Sequence, residues 1–270
     1  MTLSVGFVGL GNIGKPMALR LVGELDLRVN DVVPEPVAEL VAAGAAAAAS
    51  VAEVADVDVL CVMVRDDEQV RAVAAQVLAS GAHPVVVVHS TVSPSTPGEL
   101  AALGLRVLDA PVSGGPMGAA DGTLAIMVGG DEAAYAVAEP VLQRMGTKVV
   151  HGGPLGAGTR MKLARNLIHF VAFTAVTEAQ RLAEASGLDL LALGEVVRHT
   201  DAITGGPGAI MYRDTTAPLA PDDFWHGVFD HVRALGEKDL SFAIELADTL
   251  GVDVPLARVS RDHLATGLGL

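Results

Sequence analysis

The first 150 residues alternate short apolar runs with segments of helical periodicity. The apolar runs are Ser4–Leu10, Leu27–Asp31, Val57–Val64, Pro84–His89, Arg106–Asp109, Leu124–Val128 and Lys148–Val150, and helical patterns include Lys15–Gly23, Pro36–Ala43 and Glu68–Ala79. The first four runs are almost continuously apolar, which is typical of strands covered on both faces. Strands that alternate with helices predict βαβ units and an α/β fold with a doubly wound parallel sheet.

The strand pattern stops at about residue 152, where a glycine-rich segment spans residues 152–158. A long helix is predicted from Thr159 to Ser186, and further helical patterns are Leu188–His199, Asp230–Leu250 and a tail from Pro255. We therefore expect a first domain of residues 1–155, a long interdomain helix, and an all-helical domain of residues 156–270. The run Ala45–Ala49 is interpreted as a loop or short helical connector.

Composition excludes several classes of function. A net charge of −14 without a basic run and only nine aromatic residues argue against nucleic-acid binding. The single cysteine, Cys61, excludes an internal disulfide and a cysteine-rich zinc site, and no metal is expected. With neither an export signal nor an apolar run of about 20 residues, we expect a cytoplasmic protein without membrane contact.

A glycine pattern follows the first predicted strand. Gly9, Gly11 and Gly14 have GxGxxG spacing between a strand and a helix, where glycines permit a tight turn, close approach of a pyrophosphate and close helix packing. Asp31 ends the second strand, where its carboxylate can accept a hydrogen bond from a ribose 2′-OH. This context predicts a Rossmann-type dinucleotide-binding domain, and the predicted cofactor residues are Gly9, Leu10, Gly11, Asn12, Ile13, Gly14, Asn30 and Asp31.

The surroundings of Asp31 favour NAD over NADP. Its carboxylate repels a 2′-phosphate, and residues 30–34 contain no arginine to bind one. Arg65, after the third strand, keeps NADP open because its side chain can approach the adenosine; it can equally be an exposed loop residue.

Two later segments carry groups suited to chemistry. Ser113, Gly114 and Gly115 follow the fifth strand and offer a hydroxyl and backbone N–H groups to a carboxylate, although an ordinary turn has the same composition. Lys162 and Asn166 share a face near the start of the long apolar helix. A lysine buried beside a cationic nicotinamide has a lowered pKa, which suits proton transfer; the alternative is a lysine that extends its amine from a helix end to solvent.

Four segments, in chain order, together resemble the β-hydroxyacid dehydrogenase family. They are residues 9–18, Asp109–Gly122, Gly156–Asn166 and 238–243. The resemblance implies that Lys162 is the catalytic proton donor and acceptor. It implies the following binding roles: substrate orientation by Asn166, a carboxylate grip by Ser113, Gly114 and Gly115, a position near the nicotinamide for Lys238, and cofactor contacts for Thr91, Val64 and Arg65.

The chain departs from the family pattern at three places. Arg65 replaces a usual proline, Asp230-His231 replaces a frequent Gly-Phe, and His199–Arg213 does not match a serine-rich segment. The last two predict a more polar or differently shaped substrate, with His199, His226 and His231 as candidate contacts or as ordinary surface or core histidines.

These observations predict an NAD(P)-dependent dehydrogenase that interconverts a short 3-hydroxy acid and its semialdehyde or keto form. The alternatives are an imine reductase-like enzyme, which Lys162 argues against, and a non-catalytic NAD-binding regulator. A decarboxylating sugar-phosphate dehydrogenase of related design carries a larger helical domain than a chain of 270 residues can accommodate, which argues against that class. The apolar faces of the long helix predict a homodimer or homotetramer.

Overall fold

A computed structural model describes residues 3–211 and 215–270. The chain divides into two compact units, Met1–Arg165 and Asn166–Leu270. The division falls within the longest helix, so that helix contributes its start to the first unit and its remainder to the second.

The first unit contains a parallel sheet. The strands of the described residues are β1 (Ser4–Val8), β2 (Asp26–Asn30), β3 (Ala46–Ala47), β4 (Val59–Val62), β5 (Val85–Val88), β6 (Arg106–Asp109), β7 (Val112–Ser113), β8 (Ala125–Val128) and β9 (Lys148–His151). Six of them form a parallel sheet in the order β3-β2-β1-β4-β5-β6. The other three form a sheet in the order β7-β8-β9, which a bridge between Asp109 and Gly129 joins to β6.

Helices connect the strands, and further helices follow β9 in the described part of the chain. They are α1 (Gly14–Leu19), α2 (Pro34–Ala43), α3 (Val51–Val54), α4 (Asp67–Ser80), α5 (Thr96–Ala102), α6 (Gly115–Asp121), α7 (Glu132–Met145), α8 (Ala157–Ala185), α9 (Leu190–Thr204), α10 (Phe224–Leu250) and α11 (Pro255–Leu268). No described residue after β9 lies in a strand.

The sheet is covered on both faces because its side chains alternate. Phe7 points into a core that α1, α2 and α7 complete, whereas Val8 points into a second core with α3, α4 and α5. Both cores are built mainly from Val, Leu and Ala. The predicted α/β fold with a doubly wound parallel sheet and a helical C-terminal region is confirmed.

Three details differ from the sequence prediction. The interpretation of Ala45–Ala49 as a loop or helical connector is wrong in part, since Ala46–Ala47 forms edge strand β3 beside β2. Strand β7 was not predicted, because two residues are too few to establish a period. Helix α10 begins at Phe224 rather than Asp230, because the Asp223 carboxylate accepts a hydrogen bond from the Trp225 N–H at 2.7 Å and caps it.

The second unit is held by a small apolar cluster and a buried carboxylate. Ile244, Ala247 and Val254 are buried together. The Glu178 side chain of α8 is 4% exposed and accepts hydrogen bonds from Leu256 and Ala257, the first free N–H groups of α11. Among the described residues, no helix is long and apolar enough to cross a membrane.

Candidate active site

The glycine turn between β1 and α1 has the geometry that its spacing predicts. Gly9 has a φ of +91°, which L side chains rarely adopt, and a Cβ atom there would lie 2.2 Å from the Met63 carbonyl oxygen. A Cβ atom on Gly14 would lie 1.9 Å from the Gly9 carbonyl oxygen. At Gly11, by contrast, a Cβ atom would meet nothing within 4 Å. Gly9 and Gly14 are therefore required by packing, whereas Gly11 leaves its backbone open to a ligand.

The turn forms one wall of a cavity of about 470 Å³, which we call the glycine-turn cavity. It brings together most of the predicted cofactor residues: Gly9, Gly11, Asn12, Ile13, Gly14, Asn30, Asp31, Val64 and Arg65. Val51, Ala72 and Val73 add an apolar wall. Leu10 does not line the cavity, because its side chain is buried in the core and its N–H donates a hydrogen bond to Asp31. Apolar walls beside a glycine turn and a carboxylate fit the adenosine and pyrophosphate of a dinucleotide.

Asp31 is held at the cavity by the turn itself. Its carboxylate accepts hydrogen bonds from the backbone N–H groups of Leu10 at 2.5 Å and Val33 at 2.8 Å. Arg65 lines the same cavity, but its guanidinium is paired with Asp66 at 3.0 Å. The fixed charge that faces the cavity at the end of β2 is therefore negative.

A serine that sequence reasoning missed links two cofactor loops. Ser90 is 3% exposed, and its hydroxyl accepts a hydrogen bond from the Val64 N–H at 3.0 Å and donates one to the Val64 carbonyl at 2.7 Å. The next residue, Thr91, is exposed and does not line the glycine-turn cavity. The loops after β4 and β5 are thus fastened to each other beside Val64.

Lys162 lies on α8 and is buried, with 8% of its surface exposed. Its amine donates a hydrogen bond to the Val112 carbonyl at 2.7 Å. Burial, assisted by the positive charge of Arg165, lowers the pKa of the Lys162 amine from its ordinary value. The lysine is therefore poised to be neutral at a lower pH than an exposed lysine.

The lysine meets the predicted carboxylate-binding turn. Val112 directly precedes Ser113, and Gly114 and Gly115 follow with φ values of +137° and +65°. These two backbone conformations favour glycine, and Gly115 is the first residue of α6. The structure therefore fastens Lys162 to Val112, the residue directly before the Ser113–Gly115 turn, by a hydrogen bond that the sequence did not reveal.

The remaining predicted residues belong to the second unit. Asn166 follows Lys162 by one helical turn on α8. His231 and Lys238 lie on α10, seven residues apart and therefore on the same face, and the Lys238 amine pairs with Asp239 at 3.1 Å. His199 lies on α9 and His226 on α10.

The segment His199–Arg213 includes residues 212 and 213, which lie outside the described residues. Among those described, no group of His, Cys, Asp or Glu side chains is placed to hold a metal ion.

Comparisons with known proteins agree with a dinucleotide-binding first unit and a dehydrogenase-type helical region. Residues 4–153 match the family described as the NAD-binding domain of 6-phosphogluconate dehydrogenase. Residues 156–268 match the family described as NAD-binding of NADP-dependent 3-hydroxyisobutyrate dehydrogenase. An uncharacterised oxidoreductase of Mycobacterium tuberculosis is 49% identical over all of this chain and 94% of its own length.

Two solved structures extend the likeness. A crystal structure of a putative oxidoreductase from Mycobacterium avium has a TM-score of 0.95 and 49% identity, with 99% of each chain covered. Mycobacterium tuberculosis 3-hydroxyisobutyrate dehydrogenase, solved with L-serine, has a TM-score of 0.68 and 35% identity over all of this chain and 96% of that one. An imine reductase from Myxococcus stipitatus, 16% identical, shares the fold alone. The chain therefore belongs to the β-hydroxyacid dehydrogenase family of NAD(P)-binding oxidoreductases.

Proposed function

We propose that this protein interconverts a short 3-hydroxy acid and its semialdehyde or keto form, with Lys162 as the general acid and base. The observation that carries the proposal is the buried Lys162 amine, hydrogen-bonded beside the Ser113–Gly115 turn. A proton-transfer group bonded to Val112, the residue before a turn that offers a hydroxyl and backbone N–H groups, suits the two ends of a 3-hydroxy acid. The relative solved with L-serine, itself a 3-hydroxy acid, supports this substrate class.

Each site residue has a proposed role in substrate binding or proton transfer. The Ser113 hydroxyl and the N–H groups of Gly114 and Gly115 hold the substrate carboxylate, and Asn166 orients the substrate. Bound nicotinamide supplies the hydride acceptor, or the donor in the reverse direction. As the substrate hydroxyl is oxidised, the neutral Lys162 amine takes its proton; in reduction, the protonated amine polarises the carbonyl and returns the proton. Lys238, His231 and Thr91 complete the proposed contacts with substrate and cofactor.

NAD is the proposed cofactor rather than NADP. Asp31 is fixed at the glycine-turn cavity by two backbone hydrogen bonds and repels a 2′-phosphate. Arg65, which lines that cavity, is already paired with Asp66. We also propose a cofactor domain of residues 1–155, a helical domain of residues 156–270 and a cytoplasmic location.

The experiment is a spectrophotometric screen of NAD and NADP reduction against short 3-hydroxy acids, with L-serine and 3-hydroxyisobutyrate among them. Replacement of Lys162 by alanine should lower turnover at least about a hundredfold and leave NAD binding intact. Lys148→Ala is the matched control, because that lysine is exposed on β9. Full turnover in Lys162→Ala would refute the assignment of the base. NAD binding with no activity on hydroxy acids or imines would favour a regulator, and activity on imines alone would favour an imine reductase.

We propose a homodimer or homotetramer. On α8, Leu167, Phe170 and Phe173 are 67%, 58% and 54% exposed, so the helices of the second unit leave them uncovered. Apolar surface of this kind marks association. Light scattering at micromolar concentration should give two or four times the chain mass of 27.6 kDa, and a mass near 27.6 kDa would contradict the proposal.

A further inference from the structure

Asp109 is a fully buried carboxylate for which the proposed chemistry has no use. It ends β6 with 0% of its surface exposed. One carboxylate oxygen accepts a hydrogen bond from the Gly156 N–H at 2.7 Å, and the other accepts one from the Thr159 N–H at 2.6 Å. These N–H groups lie just before and within the first turn of α8, where an α-helix has no internal acceptors. A strand residue 47 to 50 positions earlier in the chain therefore caps the helix that carries Lys162.

The backbone around this cap is closely packed. The backbone of Asp109 exchanges two hydrogen bonds with Gly129, at 3.0 and 2.8 Å. A Cβ atom on Gly129 would lie 2.4 Å from the Asp109 carboxylate and 2.6 Å from the Ala157 nitrogen. A Cβ atom on Gly158 would lie 2.5 Å from the Asp109 carbonyl oxygen. Two glycines thus let the helix start touch β6 and β8 directly.

The same short segment holds the helix at two points. Asp109 binds the first turn of α8, and Val112, three residues later, accepts the hydrogen bond from Lys162. Thr159 and Lys162 are three residues apart on the helix and share a face. The two attachments therefore tie one face of the start of α8 to the segment that leads into the Ser113–Gly115 turn.

We propose that Asp109 is a positioning residue, whose carboxylate fastens the start of α8 so that the Lys162 amine stays bonded to the Val112 carbonyl, next to the Ser113–Gly115 turn. The catalytic meaning of this placement rests on the proposed function. The placement itself depends only on the contacts around Asp109 and can be tested without a substrate.

Asp109→Asn keeps the size of the side chain and replaces one of its two acceptor oxygens by a donor group. An amide has one acceptor oxygen, so at least one of the Gly156 and Thr159 N–H groups faces an NH₂ donor instead. The charge-assisted bond is also lost. The first turn of α8 should open more often, and the Lys162 amine should leave its seat with it.

The test is pH-dependent acylation of the lysines, followed residue by residue by mass spectrometry. The chain has only four lysines, and Lys15 and Lys148 are internal references in the same unit. In Asp109→Asn the acylation rate of Lys162 should rise roughly three- to tenfold. Its titration midpoint should move toward the ordinary lysine pKa of 10.5, because transient exposure restores solvation of the amine. The two reference lysines should not change.

Asp131→Asn is the matched control. Asp131 caps α7 in the same unit, with its carboxylate accepting a hydrogen bond from the Ala134 N–H at 2.9 Å, and α7 carries no candidate site residue. It should lower thermal stability and leave Lys162 acylation unchanged. An equal rise in Lys162 acylation in both variants, or no rise in Asp109→Asn, would overturn the proposal.

A second variant and two further measurements also test the role of Asp109. If Asp109→Asn does not fold, Asp109→Ser can be used instead, because it removes the buried charge but keeps one acceptor. In the wild-type protein, the Gly156 and Thr159 amides should exchange hydrogen as slowly as those of β5, and fast exchange would contradict the cap. With an active substrate, turnover of Asp109→Asn should fall about ten- to a hundredfold with the Kd for NAD unchanged. Full activity of Lys162→Ala would end the proposed function, whereas the acylation data would still decide the role of Asp109.

Discussion

His89 predicts an acid-dependent loss of stability. His89 directly follows β5, and its side chain is 1% exposed and stacks on Phe7 with ring centroids 6.3 Å apart. Its Nδ1 lies 2.9 Å from the Ala110 carbonyl, which can only accept, so Nδ1 carries the proton and Nε2 is the basic nitrogen. Nε2 is buried without a hydrogen-bond partner in the described structure. Burial therefore lowers the pKa of His89 from 6.5 to about 4, with the Ala110 hydrogen bond opposing this only in part.

The sign and size of the effect follow from proton linkage. Above pH 6.5 the imidazole is neutral in both the folded and the unfolded chain, so the unfolding free energy does not depend on it. Between pH 6.5 and about 4 the unfolded chain binds a proton that the folded chain excludes, so stability falls as the pH falls. At about 1.4 kcal/mol per pH unit, the loss attributable to His89 is about 2 kcal/mol between pH 7 and pH 5.

Urea unfolding followed by circular dichroism at pH 7 and pH 5 measures this loss. His89→Asn keeps a donor toward Ala110 and has no titrating ring, so its stability should fall by about 2 kcal/mol less than that of the wild type over this interval. The absolute stability of the variant should be lower at both pH values because the smaller side chain leaves a cavity. His83→Asn, at an exposed position, is the control and should keep the wild-type pH dependence. Equal pH dependence in His89→Asn and wild type would refute the reasoning.

Two further predictions concern other buried groups. Ser90→Ala removes both hydrogen bonds to Val64 and should raise the Kd for NAD roughly three- to tenfold in a fluorescence titration. Ser80→Ala is the control, because it removes a hydroxyl that donates a hydrogen bond to Val77 at the end of α4, and it should leave the Kd unchanged. Glu178→Ala leaves two N–H groups at the start of α11 without their acceptor and should lower the unfolding free energy by about 2 kcal/mol, measured by urea titration; an unchanged midpoint would contradict the capping role.

Much of the fold and of the cofactor cavity was accessible from local patterns. Buried parallel strands are continuous apolar runs, and such runs predicted β1, β2, β4 and β5. The GxGxxG pattern predicts the turn between β1 and α1, because Gly9 and Gly14 satisfy backbone constraints within that one βα connection. Asp31 directly follows the neighbouring strand β2, so sheet topology alone brings it to the turn. Each of these features depends on residues close in sequence or on adjacent strands.

What the sequence could not predict is decided by pairs of residues far apart in the chain. Lys162 was identified on α8, but its seat on the Val112 carbonyl joins residues 50 positions apart. The caps supplied by Asp109 to α8 and by Glu178 to α11 span 47 to 50 and 78 to 79 positions. Neither capped helix has a polar side chain at its own N-cap, since Gly156 precedes α8 and Val254 precedes α11. A helix whose own sequence lacks a cap needs one from elsewhere, because N–H groups buried without an acceptor cost about 1–3 kcal/mol each. An acidic residue at the end of a buried strand, such as Asp109 at the end of β6, is the matching signal in the other part of the sequence. Searching for these two signals together is a way to find such long-range caps before a structure is known.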